Sequence, residues 1–137
     1  MKIVLDANIF ISSFFWGGNP QKVVERIIAG MDELFITKKI LDEIDDVVRR
    51  PKFHADNDRI NYFINSIEEI GNKITPLKGI KNGSRDKTDN KYIECGIAAN
   101  VDYIISGDVH LLEIKNYGSI KIVTAKEYLD IVNRNGA

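Results

Sequence analysis

The sequence predicts an α/β fold built on a parallel sheet that helices cover on both faces. Five short apolar runs rich in β-branched residues are separated mostly by stretches with helical periodicity. The runs are continuously apolar, which is typical of parallel strands between two layers of helices. With 137 residues and no repeat, low-complexity tract or linker, the chain is predicted to form a single domain over residues 1–137.

The strands of this sheet are predicted from the apolar runs and from the turn residues around them. In chain order they lie at Ile3 to Leu5, Leu34 to Ile36, Lys73 to Leu77, Tyr103 to Ser106 and Ile120 to Val123.

Six helices are predicted between and after these strands, each from a capping residue and an apolar stripe. Asn19 followed by Pro20 is typical of an N-cap and first turn, and this helix can end at Gly30. Thr37 is predicted to cap a second helix that must stop before Pro51. The others are predicted from Asp56 or Asn57 to Gly71, from about Asp89 to Asn100, from Asp108 onward, and from Ala125 to Asn133.

Composition excludes several classes of protein. Hydrophobic residues make up 44% of the chain and charged residues 28%, as in ordinary globular domains. The apolar stretch from Ile9 to Trp16 is far shorter than the ~20 residues of a membrane span, and Asp6 interrupts any signal-peptide core. The only cysteine, Cys95, rules out a disulfide framework and is predicted to be a small buried hydrophobic residue. We therefore expect a cytoplasmic protein with no membrane partner.

The charge of the chain is nearly balanced, except in one segment. A formal net charge of −1 excludes a protein that holds nucleic acid by bulk positive charge alone. Between Lys73 and Lys91, however, basic residues outnumber acidic ones. This segment is either a solvated loop or a surface that contacts a phosphate backbone. Its candidate contact residues are Lys78, Lys81, Arg85, Lys87 and Lys91.

Carboxylates fall where the predicted sheet would bind a ligand. Asp6 follows the first strand and Asp108 the fourth, and both therefore lie at the carboxyl edge of a parallel sheet. Asp89 lies on the core-facing stripe at the start of the fourth helix, which begins on the same edge. In the second helix, Glu43 and Asp45 flank the apolar arc, and helix geometry alone does not choose between them.

These acids also have simpler interpretations, since Glu43 alone can be a solvated flank of its helix and others can be helix caps. Asp108 can cap the fifth helix, and Asp86 can be an N-cap with Asp89 as its partner in the first turn. Several carboxylates at one edge nevertheless repel one another unless a cation lies between them. Oxygen ligands without a His or Cys companion favour Mg²⁺ or Mn²⁺. A site of this kind can bind a phosphodiester and lower the pKa of an attacking water.

Four segments, in this order and spacing and spanning nearly the whole chain, resemble the PIN domain, in particular the short prokaryotic PIN-family toxins of toxin–antitoxin systems. They are Leu5–Phe10 (LDANIF), Ile40–Ile44 with Val47–Phe53 (ILDEI and VVRRPKF), Asp86–Asn90 (DKTDN) and Ser106–Leu112 (SGDVHLL). The resemblance implies a three-layer α/β/α fold around a central, mostly parallel sheet of about five strands.

The resemblance also implies a function, namely hydrolysis of RNA phosphodiester bonds by a metal-dependent endoribonuclease. The implied catalytic residues, which also hold Mg²⁺ or Mn²⁺, are Asp6, Glu43, Asp89 and Asp108. The implied supporting residues are Asn8, Ser106 and Asp86. The basic segment then becomes the candidate RNA-binding surface, and a cognate antitoxin and a second copy of the chain become expected partners.

Two other functions compete with this one. A PIN scaffold could bind RNA or a protein partner without cleaving anything. A phosphatase of the haloacid-dehalogenase type would use Asp6 as its nucleophile, but Asn8 stands where that family needs a proton-donating aspartate, so this alternative ranks lower.

An aromatic cluster follows the first strand. It consists of Phe10, Phe14, Phe15 and Trp16. Such residues are predicted to lie in the core. The alternative is a surface for a second copy of the chain or for an antitoxin.

Overall fold

A six-stranded sheet forms the centre of the protein. The computed structural model describes residues 1–76, 79–80, 83–84 and 87–134. The strands are β1 (Lys2–Leu5), β2 (Glu33–Ile36), β3 (Gly71–Lys73), β4 (Tyr103–Ile105), β5 (Asn116–Tyr117) and β6 (Ile120–Val123). The helices are α1 (Ala7–Phe15), α2 (Gly18–Ile28), α3 (Lys38–Val48), α4 (Asn57–Ile70), α5 (Asn90–Ala99), α6 (Val109–Leu112) and α7 (Ala125–Arg134). Single 3₁₀ turns cover Pro51–Phe53 and Lys87–Asp89.

The strand order is β3-β2-β1-β4-β6-β5, and every pair is parallel except β5 with β6. Helices cover both faces, which confirms the predicted three-layer α/β/α architecture. In the centre of the sheet, Leu5 of β1 lies opposite Ile105 of β4, and both side chains are buried. The two central strands therefore end at the same level, and the residues that follow them share one edge.

Several predicted caps are present. Thr37 accepts a hydrogen bond from the backbone N–H of Ile40 and starts α3, and Asp56 does the same for α4 through Arg59. Each hydroxyl or carboxylate satisfies a backbone donor that has no partner within its helix. Helix α4 ends at Gly71, as predicted.

Four features differ from the prediction. Helix α1 was not predicted, because its residues are apolar on nearly every side and carry no amphipathic period. The N-cap of α2 is Gly17, whose φ is 76°, and the helix begins at Gly18. Asn19 therefore already lies inside the helix, and the prediction that it is the N-cap was wrong. Strand β3 covers Gly71–Lys73 rather than the predicted Lys73 to Leu77, so only Lys73 is common to both. The short strand β5 was also missed, since only two residues separate it from β6.

The aromatic cluster divides between core and surface. Phe10 is buried and Phe14 and Phe15 pack partly against the core, but Trp16 is 71% exposed. The prediction of a core position was therefore wrong for Trp16. Cys95 is fully buried, as predicted. Among the helices of the described residues, none combines the length and the apolar character needed to cross a bilayer.

Candidate active site

The order of the strands creates a crevice between β1 and β4. From β1 the chain proceeds to β2 and β3 on one side of the sheet, whereas β4 and β6 lie on the other side. Ligands of open α/β sheets bind beyond the carboxyl ends of the strands at such a reversal of strand order. Asp6 directly follows β1 and Asp108 follows β4 by three residues, so both lie at this reversal.

Ser106 links these two acids. Its hydroxyl donates a hydrogen bond to Asp6 Oδ2 at 2.7 Å and accepts one from the backbone N–H of Asp108 at 2.9 Å. Ser106 is fully buried, so water does not compete for these bonds. One side chain thus fixes both the Asp6 carboxylate and the backbone from which Asp108 projects.

Both acids are also helix caps. Asp6 Oδ1 accepts from the backbone N–H of Asn8 at 3.1 Å at the start of α1, and Asp108 Oδ1 accepts from the backbone N–H of His110 at 2.7 Å at the start of α6. The caps that these acids form are therefore compatible with a role in the candidate site. A helix N-terminus also favours negative charge, which helps to retain these carboxylates at a buried edge.

Negative charge is concentrated around Asp6. Burial raises the pKa of the Asp6 carboxyl above its ordinary value, although hydrogen bonds from Ser106 and Asn8 act in the opposite direction. The charges of Glu43 and Asp108 raise this pKa further. Asp6 is therefore close enough to both Glu43 and Asp108 to be affected by their charges.

Glu43 is held in place by α5. The hydroxyl of Tyr92 donates to Glu43 Oε1 at 2.6 Å and accepts from the backbone N–H of Ala7 at 3.2 Å. Burial, the charge of Asp6 and the hydrogen bond to Glu43 raise the pKa of Tyr92, so the phenol keeps its proton and remains a donor. The ammonium of Lys91 lies 3.2 Å from Glu43 Oε2.

The structure also distinguishes the two flanks of α3. Asp45 forms an ion pair with Arg49 at 2.9 Å on the surface, whereas Glu43 contacts Tyr92 and Lys91. Of the two acids, Glu43 is therefore the one that joins Asp6 and Asp108.

Asp89 is the last residue of the 3₁₀ turn before α5 and is 8% exposed. Its side chain does not cap α5. It precedes Tyr92 by three positions, so it lies on the same face of this segment, one turn before the residue that holds Glu43. Asp86 lies outside the described residues, and its supporting role stays a prediction.

The supporting and basic residues are placed as follows. Asn8 supports Asp6 through its backbone N–H, while the residue itself is exposed. Lys87 is exposed. Lys91 is largely buried against Glu43, and its predicted contact with RNA is untested. The remaining basic candidates, Lys78, Lys81 and Arg85, lie outside the described residues.

Sequence reasoning missed the roles of Tyr92 and of the pair formed by Lys91 and Glu43. A signal was present for Tyr92, since a hydroxyl on the buried stripe of a helix needs a polar partner. No comparable signal identified Lys91, because the sequence shows its charge but not which acid it faces.

The donor set fits a hard divalent cation. Asp6, Glu43, Asp89 and Asp108 offer only carboxylate oxygens, which suit Mg²⁺ and Mn²⁺. Among residues 1–76, 79–80, 83–84 and 87–134, no group of three or more His, Cys, Asp or Glu side chains is already close enough to hold an ion. The Asp6 carboxylate is instead held by Ser106, and that of Glu43 by Tyr92 and Lys91.

Comparisons with known proteins match the chain to one family. The model of the PIN domain matches residues 2–110. No match was found among curated proteins. The solved structure of VapBC2 from Rickettsia felis, bound to a DNA fragment from their promoter, aligns with a TM-score of 0.60 at 13% identity, covering 89% of this chain and 97% of that one. VapBC-1 from nontypeable Haemophilus influenzae aligns with a TM-score of 0.53 at 17% identity, covering 92% of this chain and 99% of that one. These two structures share the fold, and the match of the family model over most of the chain shows that this protein belongs to the PIN domain family.

Proposed function

We propose that this protein is a divalent-metal-dependent endoribonuclease that hydrolyses phosphodiester bonds in RNA. The observation that carries the proposal is the grouping of Asp6, Glu43 and Asp108 at the β1–β4 crevice of a PIN domain, where each of the other two charges raises the pKa of Asp6. Carboxylates kept together in spite of this repulsion are typical of a site that binds a cation. Asp89, on the same face of its segment as Tyr92, completes the proposed set.

In the proposed mechanism the four acids would hold Mg²⁺ or Mn²⁺. When bound, this ion would lower the pKa of a water and stabilise negative charge on the phosphate. Ser106 and the N–H of Asn8 orient Asp6, and Tyr92 orients Glu43. These contacts fix the ligands before the substrate arrives, so less ordering is needed during the reaction.

Water is the proposed nucleophile, because the hydroxyl of Ser106 and the thiol of Cys95 are unsuitable for covalent attack. Ser106 is fully buried and donates its hydroxyl proton to Asp6. Burial raises the pKa of Cys95 to about 12, so this thiol stays protonated at neutral pH.

The basic segment is the proposed path of the RNA backbone. Lys87 is exposed two residues before Asp89, and Lys78, Lys81 and Arg85 complete the proposed path, whereas Lys91, the fifth predicted residue, faces Glu43. Basic side chains beside an acidic site offset the repulsion between its carboxylates and the phosphates that it must bind.

We further propose that the protein is the toxin of a toxin–antitoxin pair, acts in the cytoplasm and forms a homodimer. The fold shared with VapBC2 and VapBC-1 supports a cognate antitoxin. For the homodimer, the supporting feature is an exposed aromatic surface. The ring of Phe15 stacks on that of Phe53 at 4.9 Å, and Trp16, 71% exposed, lies beside both.

A PIN scaffold that binds RNA without cleaving it is the second candidate, and it shares the fold but needs no cation. The phosphatase alternative no longer applies, because the chain belongs to the PIN domain family.

The two flanks of α3 provide a matched test of the nuclease proposal. Glu43→Gln and Asp45→Asn each remove one negative charge from the same helix, but only Glu43 contacts the proposed site. Loss of one group that stabilises the transition state typically reduces kcat by about 100-fold or more. We expect that loss for Glu43→Gln, and a change of less than about twofold for Asp45→Asn, in cleavage of single-stranded RNA with Mn²⁺.

The same assay separates the two candidate functions. Equal cleavage by both variants would place the activity elsewhere or in a contaminant. RNA binding by the wild type without any cleavage would favour the silent scaffold.

A further inference from the structure

Lys91 is the second residue of α5, and its ammonium lies inside the acid site rather than in solvent. Its side chain is 14% exposed, and Nζ is 3.2 Å from Glu43 Oε2. The same ammonium lies 5.2 Å from the centre of the Tyr92 ring, whose hydroxyl donates toward the same carboxylate, 2.6 Å from Glu43 Oε1 and 3.1 Å from Oε2. Lys91 and Tyr92 thus bind one carboxylate from two adjacent positions of one helix.

The largely buried ammonium of Lys91 reduces the electrostatic repulsion between Glu43 and its neighbouring acids. Asp6 already experiences the charges of Glu43 and Asp108. The positive charge of Lys91 beside Glu43 offsets part of this repulsion, and the effect is large where water is mostly excluded. In the absence of metal, Lys91 therefore supplies the positive charge that a metal ion would otherwise supply to Glu43.

The ammonium and a metal ion also compete for the same ligand. Glu43 Oε2 faces Lys91, and an ion that takes this oxygen would lie close to a like charge unless the ammonium moves away. Tyr92 is neutral and can keep its hydrogen bond to Glu43 during such an exchange.

We propose that Lys91 is the resident counter-ion of the metal-free site and that a divalent cation binds only by displacing the Lys91 ammonium from Glu43. This inference rests on the metal site of the proposed function and adds that Lys91 regulates how tightly this site binds metal. Lys91 stabilises the empty site and lowers its affinity for metal. The metal concentration at which the site fills is therefore set by a residue that is not itself a ligand.

The test is a Mn²⁺ titration of full-length wild type, Lys91→Gln and Lys87→Gln, followed by thermal unfolding. Both variants lose one positive charge, but only Lys91 contacts Glu43, while Lys87 is exposed. Without the competing ammonium, we expect the midpoint of the Mn²⁺-induced rise in Tm to fall at least about fivefold for Lys91→Gln. For Lys87→Gln the midpoint should change less than about twofold. In EDTA, Lys91→Gln should melt below wild type, because its acids repel one another without compensation.

The possible outcomes separate this inference from the proposal beneath it. If Mn²⁺ stabilises the wild type but the midpoint of Lys91→Gln is unchanged or higher, the counter-ion role is wrong and the metal site stands. If Mn²⁺ stabilises none of the three proteins, both proposals fail. Should Lys91→Gln not fold, Lys91→Met, which keeps the aliphatic stem, is titrated against the same criteria.

Discussion

Asp108→Asn is expected to reduce RNA cleavage by about 100-fold or more while leaving the protein folded. An asparagine side chain can still accept the hydrogen bond from the backbone N–H of His110, so the cap of α6 is preserved. Ser106 bonds to the backbone N–H of residue 108 and is not affected by the substitution. What is lost is one negative charge at the β1–β4 crevice, and a loss of activity can therefore be assigned to that charge.

The matched control for this variant is Asp46→Asn. Asp46 lies on the exposed side of α3, 77% of its side chain is accessible, and its partner is Arg50 at 3.6 Å. Surface ion pairs of this kind contribute little. Cleavage and Tm should therefore stay near wild-type values. Cleavage by Asp108→Asn at the wild-type rate, in protein of equal Tm, would remove this residue from the mechanism.

Asp6→Asn is expected to stabilise the metal-free protein at neutral pH, although it destroys the proposed site. The pKa of Asp6 is raised in the folded state, chiefly by burial, so folding favours the protonated form. The corresponding stability is present below the ordinary aspartate pKa of about 3.9 and is lost as pH rises through the raised value. Asparagine removes this cost and can still cap α1 by accepting from the N–H of Asn8.

The measurement is Tm in EDTA at several pH values. We expect Asp6→Asn to exceed wild type at neutral pH by about 4 °C for each kcal/mol that the substitution relieves. The difference should shrink as pH falls through the raised pKa of Asp6, and should be smallest below the ordinary aspartate pKa of about 3.9. A variant that melts below wild type at neutral pH would show that the hydrogen bond from Ser106 outweighs the cost of burial and repulsion.

The elements that could be predicted from the sequence are those whose signals are local. Helices α3 and α4 have a capping side chain followed by an amphipathic stripe, and both begin where Thr37 and Asp56 indicate. Helix α1 has a cap as well, in Asp6, but its uniformly apolar sequence resembles a buried strand as much as a helix. Strand β5 is two residues long and exists through its pairing with β6.

The same distinction applies to the site. The placement of Asp6 and Asp108 on one edge follows from the rule that parallel strands end together, and the structure places both acids against Ser106. The choice between Glu43 and Asp45 depends on Tyr92, which lies 49 residues further along the chain. Periodicity within α3 contains no information about that contact. Likewise, the sequence predicts a basic segment but not that Lys91 faces inward.

The most direct test of the account compares the Tm of wild type in EDTA and in excess Mn²⁺. An ion that binds only the folded protein stabilises it by about 2.7 kcal/mol at 100 times its Kd. This corresponds to a rise of about 10 °C for a domain of this size. Asp6→Asn should lose most of the rise, since it removes a ligand at the centre of the acid group. Equal melting temperatures of wild type in EDTA and in excess Mn²⁺ would contradict the claim that these carboxylates form a metal site.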